Sequence, residues 1–380
     1  MKNIAIFTTS RADFGILLPL IKKLNKIKNI KCFLFVGGSH LSKKRGETIN
    51  EILKEKIKIT DTYSSKLIGS TNKEIIIREA ESLKKLNFIF GKYQFKIVII
   101  LGDRYELLNI VLLSLIHNKL IVHISGGEKT LGAIDNQIRN MISKAAHCHF
   151  VACSDYKRNL IQIGERSNTI YNTGILNVEN MHPIKNNKKI NRFKIFSDLG
   201  LNTSMKTAIF TLHPETINVS KLSYFDQLMI VYKSLVKKNI QFILSGTNAD
   251  PGHTDFEKFL KKINYKNFKY FPSLGYYNYL SLLKNVDFVI GNSSSGIGEA
   301  PFFKIPTINL GSRQKGRFKH KNIIDVNFKY KSIDRAIEKC LSKQFNDNIS
   351  NMKFHFGSKK ALFKMIKIIR NIKNLNFTKK

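Results

Sequence analysis

Short runs rich in Ile, Val and Phe recur through the first half of the chain: "NIAIFTT", "IKCFLFVGG", "FKIVIILG", "KLIVHIS", "CHFVAC" and "TIYNTG". Each is apolar on both of the faces that a strand presents. Between most of them lie segments with helical spacing, Phe14 to Lys26, Lys73 to Phe90, Glu106 to His117 and Asp135 to Ala145. Strands of that kind belong inside a sheet covered on both sides, and intervening helices make the sheet parallel. The rhythm breaks at the polar, lysine-rich "HPIKNNKKINRFK" and resumes with "KTAIFTL", "NIQFILSG", "FKYFPS", "VDFVIGNS" and "IPTINLG". A chain of 380 residues is also too long for one comfortable core. The expectation is α/β: two Rossmann-like, doubly wound parallel-sheet domains facing a central cleft. They span residues 1–181 and 195–355, with a linker at 182–194. A last amphipathic helix within 356–380 packs back on the first domain.

Lys and Arg number 64 against 27 Asp and Glu, a formal charge of +37. Such a balance fits nucleic acid, an anionic membrane or an acidic small substrate. The lysines are spread nearly everywhere, however, and no module concentrates them with interleaved aromatics, so nucleic acid is not the expected partner. The four cysteines form no CxxC pair. In "HCHFVAC", His147, Cys148, His149 and Cys153 would alternate between the two faces of a strand and cannot all converge on one ion, so a buried strand is expected there. The amino-terminal apolar run is too short for a signal peptide. The longest apolar run, "LLNIVLLSLI", is too short for a membrane span. A soluble, cytoplasmic protein with no membrane partner is expected.

Several polar motifs follow directly on strands, where open α/β sheets bind ligands. "GNSSSGIGEAP" would offer backbone N–H groups and the hydroxyls of Ser293, Ser294 and Ser295 to a phosphate or diphosphate, with Glu299 placed for ribose hydroxyls. A plain glycine-rich helix start with a serine cap fits the same residues. Arg11 in "TTSRADFG" could hold a phosphate oxygen while Asp13 caps the next helix. His40 in "GGSHLS" and Asn248 in "SGTNADPGHTD" are candidate ligand contacts. Asp103 in "LGDRYELL" and Glu128 in "HISGGEKTLGAIDNQIR" emerge from successive strands. Asp135 and Arg139 share a helix face and can pair, and His213 in "TLHPET" ends the first strand of the other domain. Three acids, an arginine and a histidine suit proton transfer. The spacing of the acids matches no metal motif, so a metal-free site is expected.

With "SRADFG", "GGSHLS", "GDRYELL", "GGEKTLGAIDNQIR", "HPET", "NADPG", "GNSSSGIGEAP" and "GSRQKGR" in this order, the chain resembles the hydrolysing UDP-N-acetylglucosamine 2-epimerases of bacterial sialic acid biosynthesis. The resemblance implies the two-domain fold shared with GT-B glycosyltransferases, a nucleotide-sugar substrate, no nicotinamide or metal cofactor, and a homo-oligomer, dimer or tetramer. It implies conversion of UDP-N-acetylglucosamine and water to N-acetylmannosamine and UDP, through elimination to a 2-acetamidoglucal and its hydration. Asp103, Glu128 and Asp135 would then be the acid/base set, assisted by His213. Arg11, Ser294, Ser295, Gly296 and Glu299 would hold the nucleotide, with Arg313 as a phosphate or closure contact and His40, Arg139 and Asn248 as further substrate contacts. Asn140 and Ser125 stand where similar proteins carry His. These departures bear on the sugar, and related enzymes take UDP- or GDP-N,N'-diacetylbacillosamine toward legionaminic acid. Competing readings are a GT-B glycosyltransferase, which leaves the acid set unexplained, and a basic nucleic-acid-binding protein.

Overall fold

The computed structural model describes residues 1–42, 47–63, 71–217, 222–246 and 253–372. They fall into two compact units. The first comprises Met1–Glu128, Asp135–Asn180 and His355–Lys380; the second comprises Lys129–Ile134 and Met181–Phe354.

The first unit is built on seven parallel strands: β1 (Lys2–Thr8), β2 (Ile30–Gly37), β3 (Asp61–Tyr63), β4 (Ile97–Leu101), β5 (Leu120–Ile124), β6 (Cys148–Val151) and β7 (Ile170–Asn172), in the order β3-β2-β1-β4-β5-β6-β7. Alternation along each strand feeds two cores. Ile4 and Ile6 of β1, with Ile97, Ile99 and Leu101 of β4, enter the core shared with the helix Arg11–Asn25. Ala5 and Phe7, with Val98 and Ile100, enter the opposite core beneath the helices Asn72–Lys92, Leu107–Ile116 and Asp135–Ala145. Two-sided burial is why these strands read as unbroken apolar runs. The helix Ala361–Asn371 adds Met365, Ile366 and Ile369 to the first of these cores, and Lys2 Nζ donates to the carbonyl of Ile369.

The second unit has six parallel strands: β8 (Thr207–Thr211), β9 (Gln241–Ser245), β10 (Phe268–Phe271), β11 (Phe288–Gly291), β12 (Thr307–Leu310) and β13 (Ile323–Val326), in the order β10-β9-β8-β11-β12-β13. Phe210, Phe242, Leu244, Phe288 and Ile290 pack on Leu228, Val231 and Leu235 of the helix Tyr224–Lys237 and on Ile333 and Ile337 of the helix Tyr330–Leu341. The sequence rhythm passes over β3 and β13, which are edge strands. The former is three residues long and the latter is nowhere fully buried, so neither needs an apolar run. Residues 182–194 contain the end of the helix Val178–Asn186 and the start of the helix Arg192–Asp198, whose cap Asn191 accepts from the Lys194 N–H.

In both sheets strand order reverses beside the first strand, between β1 and β4 and between β8 and β11. Reversal sends the flanking connections to opposite faces and leaves a crevice at the carboxyl ends.

Candidate active site

In the first unit the switch point is bordered by the loops after β1 and β4. The β1 loop is organised around Asp13, whose carboxylate accepts from the Thr9 and Ser10 N–H groups and from the Thr8 and Thr9 hydroxyls. Burial pushes this carboxyl up, but hydrogen bonding and charge from His40, with Thr8 and Thr9, outweigh it and hold it below its ordinary value. His40 is fully buried, Nε2 2.9 Å from Thr8 Oγ1 and Nδ1 2.9 Å from Thr48 Oγ1. The ligand contact expected of His40 is therefore closed off, because the turn Gly38–Leu41 tucks the imidazole under the β1 loop, where it braces the start of the Arg11 helix. Arg11 itself is the first residue of that helix and stays partly exposed.

Asp103 lies two residues beyond β4, and Glu128 follows the tight turn after β5. That turn explains its glycines. Gly127 has φ +78°, and a Cβ there would come within 2.2 Å of the Tyr156 carbonyl, so only glycine lets the main chain pass so close. Ser125 also adopts a left-handed φ of 68°. Behind the turn sits Arg139, 1% exposed, in the helix Asp135–Ala145. One guanidinium nitrogen donates to the Glu128 main-chain carbonyl at 2.7 Å and the other is paired with the Asp103 carboxylate. A single planar fork thus ties together the positions of two acids from neighbouring strands. Arg139 was expected to meet substrate. Its burial leaves it holding the acids instead, and it reaches Asp103 outside its own helix. Asp135 begins that helix and is partly exposed. Asn140, beside Arg139, is also partly exposed.

A second support was not foreseen. His123, buried in β5, donates through Nε2 to the Gly102 carbonyl at 2.8 Å, and its Nδ1 lies 3.0 Å from Ser143 Oγ. Burial lowers the imidazole to about 3, so it is neutral at ordinary pH and fixes the main chain next to Asp103 without adding charge.

In the second unit the corresponding loops follow β8 and β11. Asn292, fully buried just beyond β11, accepts from the His213 N–H at 2.7 Å and donates to the His213 carbonyl at 2.8 Å. Its own carbonyl accepts from Gln314 Nε2 at 2.8 Å and Arg313 Nη1 at 3.2 Å. Glu215 accepts from the Ser312 and Arg313 N–H groups at 2.6 and 3.1 Å. So "HPET", "GNSSS" and "GSRQ" form one hydrogen-bonded cluster, with His213, Asn292 and Arg313 brought together. The preceding Gly291 has φ +139°, and a Cβ there would collide with the Thr211 carbonyl at 1.8 Å. Ser293 caps the short helix Ser294–Gly298, and Tyr279 Oη donates to Ser295 Oγ at 2.5 Å. Gly296 is buried against Thr307, whereas Ser294 is exposed. Glu299 stands at the joint between this helix and the helix Ala300–Phe303. The segment Lys129–Ile134 belongs to this unit, with Leu131 N–H on the Lys315 carbonyl and Ile134 N–H on Thr216 Oγ1, both at 3.0 Å. Asn248 lies outside the described residues.

Asn292, Glu215, Gln314 and His123 escaped sequence reading. Their partners come from loops or strands distant in the chain, and an Asn among serines or a His within an apolar strand carries no local signal. Among the described residues, no set of three or more His, Cys, Asp or Glu is gathered for a metal ion, and no helix is long and apolar enough to cross a membrane.

Residues 22–370 match the family model described as UDP-N-acetylglucosamine 2-epimerase. A GDP/UDP-N,N'-diacetylbacillosamine 2-epimerase (hydrolyzing) of Campylobacter jejuni is 36% identical over 91% of this chain and 89% of that protein. Polysialic acid biosynthesis protein P7 of Escherichia coli is 32% identical over 99% and 96%. The solved structure of the UDP-GlcNAc 2-epimerase from Neisseria meningitidis bound to UDP-GlcNAc shares the fold, with a TM-score of 0.80 over 98% of this chain and 100% of that one at 15% identity. With two doubly wound sheets, acids held at one switch point and relatives of this kind along nearly its whole length, the chain belongs to the UDP-N-acetylglucosamine 2-epimerase family and stands among its hydrolysing nucleotide-sugar 2-epimerases.

Proposed function

We propose that the substrate is a nucleotide-linked N,N'-diacetylbacillosamine, carried on GDP or UDP, and that the products are the free sugar inverted at C2 and the nucleoside diphosphate. The observation that carries the proton-transfer chemistry is the Arg139 fork, which fixes Asp103 and the main chain of Glu128 at adjoining strand ends. The sugar is favoured by the 36% identity to the Campylobacter jejuni enzyme of that name.

In the first half-reaction a carboxylate takes the C2 proton. The electron pair left on C2 forms a C1–C2 double bond, and the C1–oxygen bond to the diphosphate breaks. In the second, water adds its hydroxyl to C1 while an acid delivers a proton to the opposite face of C2, so one water is consumed. Two faces of one carbon therefore need proton-handling groups, which Asp103, Glu128 and Asp135 supply with help from His213. A departing diphosphate needs donors and cations, the role of Arg11, Ser294, Ser295, Gly296, Arg313 and Asn248, with Glu299 on the ribose.

The test is incubation with UDP- and GDP-diacetylbacillosamine and, separately, UDP-N-acetylglucosamine in deuterated water, followed by NMR. The expected result is release of a C2-inverted 2,4-diacetamido sugar bearing deuterium at C2, turned over at least tenfold faster than the N-acetylglucosamine nucleotide. Faster turnover of UDP-N-acetylglucosamine would replace the sugar with the one for which the family is named. Product without deuterium at C2 would remove the elimination mechanism.

A further inference from the structure

The loop that carries Asp103 has a second set of anchors besides Arg139 and His123. Arg104 lays its guanidinium fork on the Glu106 carboxylate, with Nε donating to Oε2 at 3.0 Å and Nη2 to Oε1 at 2.9 Å. The Tyr105 hydroxyl accepts from Arg78 Nη2 at 2.6 Å, and the Arg78 and Arg104 guanidiniums lie over its ring, 6.0 and 5.4 Å from the centroid. Arg78 Nε is in turn 3.5 Å from Oε1 of Glu79, its neighbour on the helix Asn72–Lys92. Asn109, on the helix Leu107–Ile116, donates to the Glu79 carbonyl at 2.9 Å and to Glu79 Oε2 at 3.2 Å. The stretch from Arg104 to Glu106 thus hangs on two arginine–glutamate pairs.

Two cations and two anions balance here. Balance matters because the four side chains are only 7% to 18% exposed, too little for water to screen an excess charge. Glu79 is faced by Arg78 from its own helix, by Arg104 and Glu106 from the loop, and by the uncharged Asn109. From the end of β3 it is faced by the buried Tyr63, whose hydroxyl burial and the charges of Asp13, Glu106 and Glu79 keep neutral. The two carboxylates are not held equally. Glu106 accepts a two-bond fork, whereas Glu79 has an ion pair at 3.5 Å and an amide. A proton entering the cluster therefore goes to Glu79. Burial and then the Glu106 charge push that carboxyl up to about 7, over the opposing pull of Arg78 and Arg104, so the balance is lost near neutral pH.

We propose that Glu79 is a positioning residue for the reaction, its carboxylate keeping this cluster balanced and the loop that bears Asp103 in its productive place. It acts through Arg78, Tyr105 and Arg104. Once Glu79 is protonated, the cluster holds one cation in excess next to Asp103 in the chain, where it competes with Arg139 for the Asp103 carboxylate. The inference rests on the reading of Asp103 as a proton-transfer group, and not on the choice of sugar.

The test compares kcat of the unaltered chain with that of Glu79→Gln, whose amide stands in for the protonated acid, from about pH 5.5 to about pH 8.5 on whichever nucleotide sugar is turned over. Their ratio at each pH cancels the titration of groups common to both. It should be near unity at the acid end and rise, with a midpoint near pH 7, to about tenfold at the alkaline end, with KM little changed. Tyr105→Phe keeps Glu79 but removes the hydroxyl that Arg78 reaches, and it should flatten the same step; it carries the test if thermal melts show Glu79→Gln unfolded. A constant ratio with a folded Glu79→Gln overturns the proposal, as does a Tyr105→Phe profile that keeps the step in full. Asp103→Asn is measured beside them. Normal turnover there removes the reading of Asp103 and this inference with it, whereas an inactive Asp103→Asn together with a constant ratio confines the failure to Glu79.

Discussion

The two sheets share a strand order around the first strand but furnish their switch points with opposite chemistry. Beyond β4 and β5, charge is fixed by charge: the buried Arg139 guanidinium holds Asp103, and a neutral His123 steadies the main chain beside it. Beyond β8 and β11 the fixing group is an amide. Asn292 satisfies the His213 main chain on both its N–H and carbonyl, and the Glu215 carboxylate accepts from two main-chain N–H groups. The difference suits the tasks proposed for the two sites. Groups that give and take protons need neighbours whose charge does not change with them, and arginine and a deeply buried imidazole meet that condition. Groups that meet a diphosphate need fixed donor directions, which an amide network sets without adding negative charge.

That contrast breaks most visibly at the acids. Asp103→Asn or Glu128→Gln should lower turnover by about 10³-fold or more while UDP affinity, measured by calorimetry, changes little. Equal losses in turnover and UDP affinity would mean that the first unit is not reserved for proton transfer. Next in size is Arg139→Gln, expected to cost roughly 10²-fold in kcat and about 3 kcal/mol in unfolding free energy, because it strands Asp103 and the Glu128 carbonyl. Arg139→Lys keeps the charge but not the fork, so recovery of stability without recovery of kcat would identify geometry as what matters. In the second unit, Asn292→Ala should lower stability by about 2 kcal/mol and weaken UDP binding roughly tenfold, with little change in turnover of bound substrate. A kcat effect as large as that at Arg139 would erase the distinction.

The last effect concerns pH and leaves turnover at neutral pH aside. His123 is held at about 3, below the unfolded value, so between about pH 6.5 and 3 the unfolded chain binds the extra proton and stability falls with acidification, by roughly 1.4 kcal/mol per pH unit from this group. Denaturant melts of His123→Gln should lose that part of the slope and leave the pH dependence above pH 7 unchanged. An unchanged acid slope would show that His123 titrates normally.

Much of this was legible in the amino-acid sequence, and for a physical reason. Strands buried on both faces have to be apolar throughout, so β1, β2, β4, β5, β8, β9 and β11 announce themselves. Polar groups at strand ends sit where apolar runs stop, which made the candidates Asp103, Glu128 and His213 visible. Contacts set by topology were not visible. Spacing along one helix points Arg139 to Asp135, and nothing in that spacing points to Asp103, which the neighbouring strand brings to it. His40 looks like a loop residue facing a ligand, and only the packing of Thr8 and Thr48 around it shows that it faces inward.

The return of the helix Ala361–Asn371 to the first unit sets a schedule for making the protein. A ribosome finishes β1 to β7 long before it reaches Met365, Ile366 and Ile369, each worth roughly 1.5–3 kcal/mol of apolar burial. The core made first must therefore wait for residues translated after the whole of the second unit. Chains cut between the second unit and residue 361 would be damaged in their first unit, leaving the unit just before the break closer to intact.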